Sequence, residues 1–170
     1  MNTRLTLIHA LTPLHAGTGH AVGAIDLPIA RERPTGIPLL PGASLKGALR
    51  ARTDGDHKRA LFGPDPTHAS EHAGAVQFAD AHLLLLPVRS LWGTFAWVTS
   101  PYLLRRFLRD LRETGIEVAS PASPPVVGAC LLPSGSALTK EIPPRVILED
   151  LDFSVGEDTA LDDPERQLDL

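Results

Sequence analysis

The chain has 170 residues, of which 43% are hydrophobic, and a formal net charge of −4 at pH 7. No stretch approaches the ~20 consecutive apolar residues of a membrane span, which excludes a membrane-spanning protein. A single cysteine, Cys130, excludes an internal disulfide and indicates a reducing, cytoplasmic compartment. Charge is unevenly distributed, because residues 1–112 carry 13 basic against 8 acidic side chains and residues 113–170 carry 3 against 12. A basic body with an acidic end is compatible with polyanion binding by the body, although many solvated faces are also basic.

The first half of the chain predicts one strand, a long loop and helical segments. Residues 4–11 indicate a buried strand, and residues 12–40 are so rich in glycine and proline that they predict a long functional loop. Residues 41–53 predict a helix, and residues 58–63 a short helical turn. Another loop is expected over 63–74.

The second half predicts two strands, a helix and a final strand. Residues 75–86 and 91–100 contain the β-branched and aromatic side chains that strands favour. Residues 101–115 predict an amphipathic helix, capped by Ser100 and apolar along one face. Residues 145–153 predict the last strand.

This order of elements is strand, helix, strand, strand, helix, strand. It predicts an α+β fold with a ferredoxin-like (RRM-like) βαββαβ core and long functional loops. We expect one domain over 1–153, with residues 12–40 contacting the ligand. Residues 154–170 are rich in acidic side chains and poor in apolar ones, so we expect a weakly ordered acidic tail there.

The glycine-rich segment after the first strand has neither of the two common nucleotide-binding spacings. A dinucleotide fingerprint needs a third glycine where Val22 stands, and a Walker loop needs a Gly-Lys-Ser/Thr that is missing. What remains is a loop whose backbone N–H groups can approach a ligand closely, or a plain surface loop.

Two further groups of side chains have competing interpretations. His68, Glu71 and His72 fit a zinc-protease pattern, but that pattern requires a helix, and a polar surface loop is the simpler interpretation. Lys46 and Arg50 lie four residues apart on the predicted helix over 41–53. They could bind phosphate near its N-terminus or form a solvated cationic face.

One carboxylate and one histidine accompany the glycine-rich loop. Asp26 has apolar neighbours, and it can either organise a turn or act as a metal or proton partner at a phosphate. His15 precedes the glycines and is either a structural residue or a general base. Composition alone does not separate these alternatives.

Four stretches of the sequence carry a family resemblance. Residues 14–50, "LHAGTGHAVGAIDLPIARERPTGIPLLPGASLKGALR", are the longest of them, and residues 60–63, 78–101 and 146–153 continue it. The chain resembles RAMP proteins of CRISPR effector complexes. More narrowly, it is similar to the backbone subunit of the type III-B (Cmr) complex.

The resemblance implies a modified ferredoxin-like fold and copies of the subunit in a helical stack along a CRISPR guide RNA, together with other effector-complex subunits. It implies that Asp26 is the catalytic and metal-binding residue for cleavage of a complementary target RNA, with Mg²⁺ or another divalent cation. Because family members of this kind are longer, it also implies a short or truncated form. The RNA-contacting residues it implies are Gly17, Gly19, Arg31, Arg33, Ser44, Lys46 and Arg50, with His15 as an auxiliary residue.

Three other functions stay open at this point. The chain could be a non-catalytic RNA-binding scaffold of the same kind of complex, in which Asp26 only organises a turn. It could be a histidine-based RNA-processing enzyme with His15 as general base. The third is a metalloprotease that uses the histidine pair at 68 and 72.

Overall fold

The computed structural model of the protein describes residues 2–17, 27–118, 125–140 and 143–156. It divides into two compact units, residues 9–83 and residues 1–8 with 84–170. Together they form a mixed α+β fold with small sheets. Within the described ranges, no helix is both long enough and apolar enough to cross a membrane.

The unit of residues 9–83 contains two short strands and two helices. They are β1 (Leu39–Leu40), α1 (Gly42–Arg52), α2 (His57–Phe62) and β2 (Ala81–His82), with a 3-10 turn at Pro66–His68 between the last two. Strand β1 pairs with β2 in antiparallel orientation. The helices predicted over 41–53 and 58–63 are confirmed.

Helix α1 begins where its backbone approaches a distant segment of the chain. The backbone N–H of Gly42 donates to Asp80 Oδ1 at 2.8 Å. A Cβ atom at Gly42 would lie only 2.3 Å from the carbonyl oxygen of Phe78 and 2.8 Å from that of Ala79. Only glycine permits this approach.

The strand predicted over 75–86 is mostly wrong. Of these residues, only Ala81, His82 and Leu86 belong to strands. The phenyl ring of Phe78 stacks on that of Phe62, with 6.1 Å between ring centroids. Residues 78–80 therefore pack against α1 and α2. These contacts take the place of strand pairing at residues 78–80.

The second unit contains five strands and one helix. They are β3 (Leu86–Arg89), β4 (Phe95–Val98), α3 (Pro101–Glu113), β5 (Ala129–Leu131), β6 (Arg145–Leu148) and β7 (Leu151–Gly156). Strands β3 and β4 form an antiparallel hairpin, so the strand predicted over 91–100 is confirmed only over β4. Strand β7 lies between β6, to which it is antiparallel, and β5, to which it is parallel. A bridge between Ser90 and Leu148 joins the two sheets.

The core of this unit lies on one face of the strands. Ala96, Val146 and Leu148 are buried at its centre, and partly buried side chains surround them: Val88, Val98, Cys130, Leu132, Leu138, Phe153 and Val155. Burial raises the pKa of the Cys130 thiol above its ordinary value, because the thiolate loses hydration. The thiol is therefore part of the packing and is protonated at neutral pH.

Helix α3 matches the sequence prediction closely. The hydroxyl of Ser100 accepts a hydrogen bond from the backbone N–H of Leu103 at 3.3 Å, and Pro101 occupies the first helical turn. Gly115 follows the helix with a φ of +84°. Of the expected apolar face, Leu108 and Leu111 are buried and Leu104 and Phe107 are half-buried, while Leu103 is also buried.

Two predicted strands are wrong. Residues 145–153 form two antiparallel strands, because the chain reverses at Glu149, which has a left-handed φ of +53°. Residues 2–10 are not in a strand. A strand needs a hydrogen-bonding neighbour, and Leu7 and Ile8 are 56% and 49% exposed instead of being buried in a sheet. The specific ferredoxin-like βαββαβ core is therefore not confirmed. Strand β7 extends to Gly156, and the predicted tail beyond it lies outside the described residues.

Candidate nucleic-acid interface

The two ends of the glycine-rich loop meet. Gly17 forms a β-bridge with Ile29, and the backbone N–H of Ala30 donates to the carbonyl oxygen of Ala16 at 2.7 Å. Residues 18–26, which include Gly19 and Asp26, lie outside the described residues. Gly17 and Leu27 are therefore the described residues on either side of this segment.

His15 and Gly17 both contact Leu27. His15 Nε2 lies 2.8 Å from the carbonyl oxygen of Leu27. A Cβ atom at Gly17 would lie 2.9 Å from Leu27 Cβ, too close for any side chain at position 17 without a local shift. This contact is a reason for glycine at 17 that is independent of any ligand.

Arg31 and Arg33 lie on a tight β-hairpin that follows the loop. Arg31 is bridged to Pro38, and the backbone N–H of Glu32 donates to the carbonyl oxygen of Ile37 at 2.9 Å. The guanidinium of Arg31 donates across the turn to the carbonyl oxygen of Gly36 at 2.8 Å. Both arginine side chains are exposed, so they present positive charge to solvent.

A contact between Glu32 and His82 helps to hold this hairpin in place. The carboxylate of Glu32 accepts a hydrogen bond from the hydroxyl of Thr35 at 2.6 Å and lies 3.2 Å from His82 Nδ1. Its side chain is only 10% exposed. His82 lies on β2, 50 residues further along the chain, so no local pattern indicates the pair.

Helix α1 carries Ser44 in its first turn, where it is exposed, and Lys46 in its second, where it is half-buried. A helix N-terminus attracts anions through its free N–H groups and its dipole. At α1, however, the Asp80 carboxylate already accepts from the Gly42 N–H. Phosphate binding here would therefore depend on side chains such as that of Lys46.

Arg50 is used within the chain. Its guanidinium donates to the carbonyl oxygens of Phe62 and Gly63, at 3.4 Å and 2.9 Å, and to Asp65 Oδ1 at 2.7 Å. The first two acceptors are at the C-terminal end of α2, where backbone carbonyls lack helical partners. Arg50 thus ties α1 to the end of α2, and a contact between Arg50 and RNA stays a prediction.

The histidine pair is not on a helix. The chain forms a 3-10 turn at Pro66–His68 and continues as turns and bends. His68 Nδ1 lies 3.0 Å from the hydroxyl of Thr67, and Glu71 pairs with Arg59. No group of three or more His, Cys, Asp or Glu side chains in the described part of the chain could hold a metal. The zinc-protease interpretation therefore lacks the helix it needs.

The described residues thus combine a closed loop base with an exposed pair of arginines in one unit of the chain. The second arm of the hairpin runs into β1 and then directly into α1. Such an arrangement can hold a polyanion by charge.

Known proteins resemble this chain over most of its length. Residues 7–169 match the RAMP superfamily model. The chain is 44% identical over 123 residues to the CRISPR system Cmr endoribonuclease Cmr4 of Pyrococcus furiosus, which covers 69% of this chain and 42% of that protein. It is also 43% identical over 47 residues to the CRISPR system Cms endoribonuclease Csm3 of Enterococcus italicus, covering 26% of this chain and 22% of that protein.

The fold supports the same relationship. The crystal structure of oligomeric Cmr4 from Pyrococcus furiosus matches with a TM-score of 0.70 at 35% identity, covering 88% of this chain and 54% of that chain. The chain therefore spans about half the length of these relatives. Because the family match extends over nearly all of the sequence, the chain belongs to the RAMP superfamily and is a homologue of Cmr4.

Proposed function

We propose that the chain is a cytoplasmic backbone subunit of a type III-B CRISPR effector complex, which binds a guide RNA and cleaves the complementary target RNA. The observation that supports this most directly is the closed base of the loop, where Gly17 pairs with Ile29 and Leu27 contacts His15. In the sequence, Asp26 stands directly before Leu27, and the hairpin with two exposed arginines follows. The 44% identity to a Cmr endoribonuclease supports RNA cleavage as the reaction.

In this proposal the protein contacts mainly the sugar-phosphate backbone of the RNA. Arg31, Arg33 and Lys46 supply positive charge, whereas base pairing between guide and target supplies sequence specificity. Copies of the subunit stack along the guide RNA, beside other subunits of the complex. A relative that crystallised as an oligomer supports the stacking.

The proposed reaction uses the target RNA's own 2′-hydroxyl as nucleophile. A bond forms between O2′ and phosphorus, and the bond from phosphorus to O5′ breaks. The 2′-hydroxyl loses its proton to solvent, the departing O5′ gains one, and a 2′,3′-cyclic phosphate remains. The protein contributes by holding the target in line and by placing the Asp26 carboxylate at the reacting phosphate.

Mg²⁺ or another divalent cation belongs to the proposal. The described residues alone do not form a metal site. A lone aspartate nevertheless suits Mg²⁺, which commonly binds one or two carboxylates and completes its coordination with water and substrate phosphates. Bound there by Asp26, such an ion would stabilise negative charge on the phosphate.

The function is tested with a complex assembled from the full chain, its guide RNA and the other subunits. We expect it to cut an end-labelled complementary RNA in Mg²⁺ and to stop cutting after EDTA, because the ion offsets charge in the transition state. A non-complementary RNA is the matched control and should stay intact. Retained target binding with no cleavage in any divalent cation would instead identify a non-catalytic scaffold.

Lys46 should contribute to RNA affinity without contributing to sequence preference. Replacing it with alanine is expected to weaken binding of unrelated sequences equally and to lower the log–log salt slope by roughly 0.7, the value for one lost single-strand phosphate contact. Titrations of labelled RNA at several salt concentrations measure this. Lys58→Ala is the control, since Lys58 is equally half-buried and lies on α2. Equal slopes for the parent and Lys46→Ala would show that Lys46 contacts no phosphate.

A further inference from the structure

We propose that His15 is a positioning residue that fixes the returning end of the loop at Leu27, and that it is not the general base of the reaction. This inference rests on the proposed function, because it concerns the placement of Asp26. The carrying observation is the 2.8 Å contact between His15 Nε2 and the carbonyl oxygen of Leu27, the residue next to Asp26.

The direction of this hydrogen bond determines what His15 can do. A carbonyl oxygen only accepts, so His15 Nε2 must carry the proton and donate it. Neutral imidazole protonated at Nε2 and the imidazolium cation both satisfy this requirement. In a ring that keeps this bond, Nε2 has no lone pair with which to take a proton from RNA, and only Nδ1 has one.

Leu27 needs such a restraint. Its φ of +47° lies in the left-handed region, which residues with a side chain adopt infrequently. Backbone conformations of this kind persist where the surroundings impose them. Here the surroundings are the His15 hydrogen bond, the Gly17 Cα against which Leu27 packs, and the bridge from Gly17 to Ile29.

Leu27 is bonded to Asp26 through one planar peptide, so a restraint on Leu27 acts next to the residue to which we assign the chemistry. Attack in line at a phosphate depends on close placement of the groups around it, and a displacement of about 1 Å can cost roughly 10²-fold in rate. Loss of the His15 hydrogen bond should therefore slow cleavage although His15 itself never touches the reacting atoms.

Two substitutions separate positioning from proton transfer. The amide nitrogen of glutamine lies about where histidine has Nε2, so His15→Gln keeps the donor but has no basic nitrogen. His15→Asn places its amide near the position of Nδ1 and loses the donor at Leu27. In the assembled complex, we expect the Gln variant to cleave near the parental rate with the parental pH profile. The Asn variant should cleave roughly tenfold to a hundredfold more slowly, with unchanged affinity for guide and target.

Hydrogen exchange on the full chain alone gives a readout that does not depend on activity. The amide of Ala30, which donates to Ala16 beside the contact, should exchange faster in the Asn variant and at the parental rate in the Gln variant. In ¹⁵N spectra of the parent, His15 should show a proton on Nε2.

Several outcomes would overturn the inference. A Gln variant that loses about 10²–10⁴-fold in rate, as expected for a missing general base, would identify His15 as that base. An Asn variant that cleaves and exchanges like the parent would show that the contact positions nothing. Asp26→Asn is measured in parallel, because a parental rate in that variant would reject the proposed function itself, independently of His15.

Discussion

Replacing Asp26 with asparagine is expected to slow cleavage of the target RNA by about 10²-fold or more, the usual cost of losing one electrostatic contribution at a reacting centre. Asparagine has nearly the same shape as aspartate but no negative charge and a weaker affinity for hard cations. The change therefore removes the proposed chemistry and leaves the size of the side chain intact. Single-turnover cleavage in the assembled complex measures the effect.

Binding should behave differently from cleavage in this variant. The change removes repulsion between one carboxylate and the RNA phosphates together with any phosphate contact made through a bound Mg²⁺, so guide and target affinities should barely change. Asp54→Asn is the matched control, since it makes the same change at an exposed position between α1 and α2. Parental cleavage by Asp26→Asn would leave Asp26 as a turn-forming residue only.

Replacing Gly42 with alanine is expected to destabilise the unit of residues 9–83 by about 2–4 kcal/mol, from overpacking together with loss of a part-buried hydrogen bond. The new Cβ would lie 2.3 Å from the Phe78 carbonyl oxygen, so α1 or residues 78–80 must move apart. That movement also separates the Gly42 N–H from Asp80 Oδ1. Urea unfolding followed by far-UV circular dichroism measures the loss.

Gly47 provides a control on the same helix. A Cβ atom there would meet nothing within 4 Å among the described residues. Gly47→Ala should therefore raise the free energy of unfolding by up to about 1 kcal/mol, since alanine favours the helical backbone over glycine. Equal effects of the two substitutions would mean that residues 78–80 do not contact α1 as described.

The sequence predicted the parts of the fold that depend on neighbouring residues. Helix α3 is defined by Ser100, Pro101 and the spacing of its leucines, all within 15 residues, and its prediction is confirmed. The helix over 41–53 was equally evident. In contrast, the sequence does not predict the reversal at Glu149, because "RVILEDLDF" contains neither the glycine nor the asparagine that usually marks a tight turn.

The site was predictable only to the same extent. The loop, Asp26 and the arginines stand in one stretch of sequence, so pattern and resemblance indicate them together, and their roles stay predictions. The bonds that shape their surroundings join residues far apart, such as Gly42 to Asp80 and Glu32 to His82. Arg50 shows the difference most clearly, since its spacing from Lys46 indicated a phosphate ligand and its guanidinium binds α2 and Asp65.

The division of the chain into two units separates its chromophores as well. Trp92, Trp97 and Tyr102, which are all of its tryptophans and tyrosines, belong to the unit with residues 84–170. The unit that carries the loop base and α1 has only phenylalanine, at Phe62 and Phe78, as its aromatic residues besides histidine. Intrinsic fluorescence excited at the tryptophan band therefore reports on one unit alone. A tryptophan introduced in place of Phe78 or Phe62 would give the unit of residues 9–83 an optical signal of its own.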